Sequence, residues 1–286
     1  MPMRIPGRAP IPSVPLITNR RDRIMLLENR NAVVYGAGGS IGSAVAAGFA
    51  REGARVFLVG RTRESLERVA KEITGAGGRA DVSVLDALDE QAVDDHARSV
   101  VETAGSIDIS FNLVGAGDVQ GIPLIDMTTA DFSRPIVTRA TANFISTRAA
   151  ARHMVEQGSG VILALDSGSA VGSPMMGGTG PADAATDTLV RNLAAEIGPR
   201  GVRVVGIWTA GLPETLSPEK LAAVTGGPAM DDAAFQGLLQ HLDGMRMTRR
   251  SPTLAQLSAT AAFLASDGAG AITGTFVNVT SGMFPS

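Results

Sequence analysis

The sequence predicts one doubly wound α/β domain, with about seven parallel strands flanked by helices. Short apolar runs rich in β-branched residues alternate with segments of helical spacing from Asn31 to Val279. Such alternation means a parallel sheet covered on both faces. No change of composition after residue 30 marks a second domain. A glycine-rich stretch, Gly36–Gly42, joins the first strand to the first helix, as the tight turn of a βα unit requires.

The elements follow in order. Ala32–Tyr35 reads as a buried strand, and Ile41–Arg51 as a helix with Ile41, Val45 and Phe49 on one face. Arg55–Gly60 is a second strand, followed by a helix to about Thr74 that Gly75, Gly77 and Gly78 end. Ala80–Leu85 alternates as a third strand closed by Asp86, and Asp89–Thr103 is an amphipathic helix. Ile107–Val114 is a fourth strand. A long helix is expected over Asp131–Gln157, interrupted at Pro135. Gly160–Leu165 is a fifth strand, with a helix over Pro181–Ile197 after a Gly/Ser loop. Val202–Trp208 is a sixth strand. Residues 212–248 mix prolines and glycines with leucines and methionines and read as a lid. A helix over Pro252–Ala265 and a strand over Thr275–Val279 complete the domain.

Composition narrows the function. The chain has 286 residues, 44% hydrophobic, and a formal net charge of −3. Neither nucleic acid nor an anionic membrane is an expected partner. There are no cysteines, so thiol chemistry is excluded. No apolar run approaches the roughly 20 residues of a membrane span. Residues 1–24 are rich in proline and arginine and lack the apolar core of a signal peptide. They read as a flexible arm, or one that packs on a neighbouring subunit, and a cytoplasmic location is expected.

In an open parallel sheet, ligands bind beyond the carboxyl ends of the strands, where strand order reverses. The turn Gly36–Gly42 would present free N–H groups at the positive end of a helix dipole, which suits a pyrophosphate. Gly36, Gly38, Gly39, Ser40, Ile41 and Gly42 are therefore candidate dinucleotide contacts.

Taken with that turn, the later segments resemble the short-chain dehydrogenase/reductase family over about residues 25–286. Gly36-Ala-Gly-Gly-Ser-Ile-Gly42 resembles its glycine signature, with Ser40 in the place of the middle glycine. Asp86 stands where the family bonds the adenine amino group. Asn112-Leu-Val-Gly115 resembles the Asn-Asn-Ala-Gly segment, keeping its first and last members. Ser167 falls at the catalytic serine position. Thr209-Ala-Gly211 sits at the turn that holds the nicotinamide. The resemblance implies a Rossmann-type domain, a nicotinamide cofactor, a small-molecule substrate and a homo-oligomer, either a dimer or a tetramer.

The family's tyrosine and lysine are missing. Counting along the helix after the fifth strand puts Thr179 and Asp183 in their places, and Arg139 in that of the active-site asparagine, with Asn143 one turn later. The only tyrosine is Tyr35, in the cradle; the only lysines are Lys71 and Lys220. A threonine hydroxyl lies far from the range useful for acid–base work, so the family's ordinary mechanism is absent. Candidate replacements are Asp166 as a general acid raised by burial, Arg139 as an oxyanion partner, and Asp183 as a contact to the nicotinamide ribose. His241, in the lid, titrates in a useful range, while His96 and His153 belong on outer helices. Each has a plainer reading: a turn serine, an ion-paired arginine, first-turn or turn-stabilising aspartates, a surface histidine.

Gly60 ends the second strand without the acid that NAD-binding relatives carry there, and Arg61 follows it. NADP is therefore expected over NAD, Arg61 supplying a charged contact to the 2′-phosphate. The apolar lid (Leu212, Leu216, Leu221, Leu238, Leu239, Met245 and Met247) suggests a hydrophobic substrate. Two readings of function remain open. One is an NADP(H)-dependent oxidoreductase acting on a carbonyl or hydroxyl group by an atypical proton transfer. The other is a non-redox catalyst of aldol, cyclisation or elimination chemistry, or a silent cofactor-binding sensor, on the same fold.

Overall fold

In the computed structural model, residues 25–284 are described. The Pro-rich arm of residues 1–24 lies outside them. Seven strands form one parallel sheet in the order β3-β2-β1-β4-β5-β6-β7: β1 Asn31–Tyr35, β2 Arg55–Gly60, β3 Arg79–Val84, β4 Ile109–Asn112, β5 Gly160–Asp166, β6 Val202–Trp208 and β7 Thr275–Asn278. The helices are α1 Ser40–Arg51, α2 Arg63–Gly75, α3 Glu90–Ala104, α4 Thr129–Gln157, α5 Thr179–Ile197, α6 Pro218–Thr225, α7 Asp232–Gly244 and α8 Leu254–Ala265. No described helix is long and apolar enough to cross a membrane.

Strand residues point to opposite faces in turn, and each face makes its own core. Val34, Leu58 and Leu163 pack against α1, α2 and α8 through Val45, Phe49, Leu66 and Leu257. Val33, Phe57 and Ile162 pack against α3, α4 and α5 through Val93, Ala149 and Val190. Strand order reverses between β1, which pairs with both β2 and β4, and the strands beyond it. The loops after β1 and β4 therefore diverge from one crevice.

Several boundaries differ from the sequence reading. β4 stops at Asn112, because the Asn112 Oδ1 accepts the Val114 N–H at 3.2 Å and turns the chain out of the ladder. α4 runs unbroken through Pro135. The helix forgoes one backbone bond there, but its start is capped by the Thr128 hydroxyl, which accepts from Asp131 N at 3.1 Å, and Pro135 is buried. α5 begins at Thr179, two residues before Pro181; a proline in the first turn removes no intrahelical bond. Residues 212–248 do not form a separate apolar lid throughout. Leu212 is 2% exposed and belongs to the main core, while α6 and α7 bury no residue fully.

The start of α5 rests on a close approach to α4. A Cβ on Gly178 would lie 2.0 Å from the Phe132 carbonyl oxygen and 2.9 Å from the Pro135 ring. Gly178→Ala is therefore expected to lower stability by about 1–3 kcal/mol, as overpacking does, read as a reduced midpoint in urea denaturation.

Candidate active site

The turn after β1 is held by its backbone. Gly36 N and Ala37 N donate to the Val59 carbonyl at 2.9 and 3.1 Å. Gly36 takes φ +75°, and a Cβ on it would lie 2.4 Å from the Leu113 carbonyl oxygen. Gly39 caps α1 without a side-chain bond to its first-turn N–H groups, which are left for an incoming acceptor. On one side of this turn a cleft of about 350 Å³ is lined by Gly36, Gly38, Gly39, Gly60, Arg61 and Asp86. On the other a cleft of about 230 Å³ is lined by Ile41, Asn112, Asp118, Arg139, Ser167 and Thr209. Both include Leu113–Gly115. Two lobes joined at a bare helix N-terminus fit a dinucleotide. Gly36, Gly38 and Gly39 would hold the phosphates by backbone, and Arg61 and Asp86 face the first lobe. Arg61 is exposed and makes no ion pair among the described residues; Asp86 Oδ1 accepts Leu88 N at 3.0 Å.

Gly211 lies outside both linings. It takes φ +54°, and its carbonyl and that of Ala210 accept from Arg246 at 2.9 and 2.8 Å. Arg246, 1% exposed, thus pins the Thr209–Gly211 turn from the end of α7. Thr209 N is fixed by the Asp166 carbonyl at 2.9 Å.

The second lobe ends on a charged network. Asp183, one turn into α5, is 0% exposed. Its Oδ2 accepts from Ser167 Oγ at 2.5 Å, Ser167 N at 3.1 Å and Ser169 N at 3.0 Å. Its Oδ1 accepts from Arg139. The other arm of Arg139 donates to both oxygens of Asp118 at 3.2 Å. Thr179 Oγ1 donates to Asp118 Oδ1 at 2.8 Å. Ser167, Thr179, Asp183 and Arg139 are thus brought together, with Asp118, which sequence reasoning missed. A second polar chain runs behind them: Asn112 Nδ2 donates to Asn143 Oδ1 at 2.6 Å, and Asn143 Nδ2 to Thr186 Oγ1 at 3.1 Å.

One expectation changes. Asp183 has no surface left for a ribose hydroxyl, since its oxygens already take four bonds. Burial pushes its carboxyl above the usual range, opposed by the Arg139 charge and by the Ser167 hydroxyl. Asp166 closes β5 and lines the second lobe, beside Asp187 of α5. One oxygen accepts Gly168 N at 2.9 Å; the other has no partner unless the carboxyl keeps its proton and shares it with Asp187. Burial first, then the Asp183 charge, push its pKa up to about 9. Asp166 is 4% exposed, and that small surface lines the second lobe beside Ser167.

Other titratable groups are remote from the chemistry. Tyr35 is 1% exposed, and burial raises its phenol well above the ordinary value. His96, on α3, packs edge-on against Tyr35 with ring centres 6.4 Å apart, and burial lowers its pKa to about 4. It is an outer-helix residue turned into the core. His241 is exposed on α7. Of the two lysines, Lys71 is exposed on α2, and Lys220 reaches from α6 to Ser40 Oγ at 3.1 Å.

The chain matches known proteins along most of its length. A family model described as enoyl-(acyl carrier protein) reductase matches residues 36–284. It is 30% identical to 7alpha-hydroxysteroid dehydrogenase of Escherichia coli (strain K12), covering 90% of this chain and 94% of that one. It is also 30% identical to L-rhamnose 1-dehydrogenase (NAD(P)(+)) of Azotobacter vinelandii, covering 91% and 98%. Among solved structures, NAD+-bound xylitol dehydrogenase superposes with a TM-score of 0.79 at 28% identity, covering 90% of this chain and 99% of that one.

The Asp166 carboxyl has a stability consequence. Its folded pKa of about 9 exceeds the unfolded value of about 3.9, so the folded state binds the extra proton between them. The Asp166 contribution to stability is then fully present below pH about 4 and is lost as pH rises towards 9. Asp166→Asn, which keeps a neutral side chain, is expected to flatten most of the fall in melting temperature between pH 6 and pH 9 seen in the parent protein.

Proposed function

The chain belongs to the short-chain dehydrogenase/reductase family of oxidoreductases acting on hydroxyl and carbonyl groups, and from that premise we propose an NADP(H)-dependent member in which a Ser167–Asp183 pair moves the proton. The observation that carries this reading is the Ser167 hydroxyl, 2.5 Å from a carboxylate with no exposed surface. The nicotinamide, when bound, supplies the hydride acceptor or donor. In the oxidative direction the substrate hydroxyl gives its proton to Ser167 Oγ as the Ser167 proton passes to Asp183 Oδ2. The carbinol carbon gives up hydride, and the carbonyl forms. Reduction runs the same transfers backwards. Arg139 remains paired with Asp118 throughout, so protonating Asp183 does not strand a guanidinium. Thr179, bonded to Asp118, helps hold that carboxylate in place.

NADP is supported by Gly60, which brings no carboxylate to the adenosine lobe, and by the unpaired Arg61 beside it. A small, hydrophobic substrate is supported by Leu216, Leu221, Leu238 and Leu239, half-buried around the α6–α7 segment. A homo-oligomer is supported by the outer face of α4 and α5, where Phe144 is 51% exposed and a cleft of about 450 Å³ is lined by Leu189 and Leu193. The complete enclosure of Asp183 also favours a second reading, a cofactor-binding protein without turnover.

The test is single-turnover hydride transfer with a panel of ketones and alcohols. Ser167→Ala and Asp183→Asn are each expected to lower kcat/KM by about 10²–10⁴-fold with little change in the cofactor dissociation constant. Alcohol oxidation in the parent protein should rise with pH as the raised Asp183 carboxyl ionises, and Asp183→Asn should abolish that limb. Binding without any hydride transfer would leave only the second reading. Arg61→Ala is separately expected to weaken NADP by about tenfold, the size of one charge-assisted contact, and to leave NAD unchanged in calorimetric titration.

A further inference from the structure

Within the cofactor reading above, we propose that Lys220 is a pyrophosphate contact carried in by α6, and that Ser40 positions it. Lys220 Nζ donates to Ser40 Oγ at 3.1 Å and to the Thr215 carbonyl at 3.2 Å. Ser40 is the first residue of α1, directly after the cap that offers no side chain to the free N–H groups. The ammonium therefore stands at the edge of the turn between the two lobes. Of the residues lining those lobes, the cations are Arg61, at the adenosine end, and Arg139, which is already taken by two carboxylates. Neither is placed to balance charge at the joint, and a dinucleotide carries two negative charges there.

The helix that brings Lys220 is fixed at both ends. Ser217 caps its start, accepting Lys220 N at 3.3 Å. Val224, in its last turn, accepts Gln120 N from the loop after β4 at 3.0 Å. Ser40 replaces a glycine of the family signature, and its hydroxyl is what gives the ammonium a second anchor. A lysine on a short, capped helix loses less freedom on binding than one on a loop. Its partner in the absence of ligand is a neutral hydroxyl and a carbonyl, so a phosphate oxygen gains the full charge-assisted bond.

The experiment is calorimetric binding of NAD, NADP and adenosine to the parent protein, Lys220→Met and Lys220→Arg. Lys220→Met is expected to weaken NAD and NADP alike by about tenfold, with adenosine unchanged, and to make dinucleotide binding less sensitive to added salt. Lys220→Arg should retain most of the affinity. Unchanged dinucleotide affinity in Lys220→Met would overturn the proposal and leave the Ser40 bond a purely structural contact. Loss for NADP alone would move Lys220 to the 2′-phosphate, and an equal loss for adenosine would mean a disturbed lobe; either overturns it. If the parent protein binds neither dinucleotide, the cofactor reading fails first, and that outcome is distinct from the others.

Discussion

The site depends on a carboxylate that has been taken out of water. Asp183 is fully buried on α5, and removing an ion of that size from solvent costs on the order of several kcal/mol. The cost is offset locally. Arg139 reaches across from α4, and three donors come from the loop after β5. These demands fix much of the surrounding structure. α4 and α5 must pack closely enough for the guanidinium to span them, which the Gly178 contact with Phe132 allows. The loop must turn sharply after Asp166 so that Ser167 N and Ser169 N converge on one oxygen, and Gly168 does this at φ +74°.

The same constraint explains why the family's tyrosine and lysine cannot be considered one residue at a time. A lysine at position 183 alone would place its ammonium against Arg139, and would leave Asp118 with a guanidinium contested by no second carboxylate. The asparagine expected at position 139 would in turn leave Asp183 buried and uncompensated. Positions 118, 139, 179 and 183 form one bonded unit in which two carboxylates share one guanidinium. Charge pairs this tightly coupled change together.

What was legible in the sequence follows from how each signal arises. The cradle was readable because strand, glycines and helix are contiguous, and each has a local backbone cause. The cluster of Ser167, Thr179, Asp183 and Arg139 was readable from positions along β5, α4 and α5, although not the bonds among them. Asp118 was not, because it sits in a loop with no periodicity, and only the packing of that loop against α4 brings it to Arg139. Arg246 and Lys220 escaped for the same reason: a long side chain on a lid reports nothing about its far end. Asp166 was legible as a strand-end carboxyl whose burial would raise its pKa, and it lines the second lobe with that shift. Asp166 faces the α5 side of the sheet, with Ala164, whereas Leu163 packs against the α1 side; its neighbour Asp187 on α5 could not be read from the strand pattern. His96 was placed on an outer helix, as found, but its packing onto Tyr35 could not be read from the helix pattern.

The electrostatic balance of the network bears on direction. One guanidinium serves two carboxylates, so the ionised unit is net negative. Asp183 is screened by four donors and closed to solvent, and its charge is largely spent internally. Asp118 is the more open partner, its side chain 20% exposed against 0% for Asp183, and it lines the second lobe. The surplus negative charge therefore acts on a ligand through Asp118 and not through Asp183. A cationic ring in that lobe is stabilised relative to a neutral one, by an amount that falls with distance and with the dielectric of a half-open cleft. On the proposed mechanism, a site so arranged would hold the oxidised form of a nicotinamide more tightly and would take up a proton at Asp183 as the substrate hydroxyl releases one. Within that proposal, both effects favour oxidation of a hydroxyl group over reduction of a carbonyl.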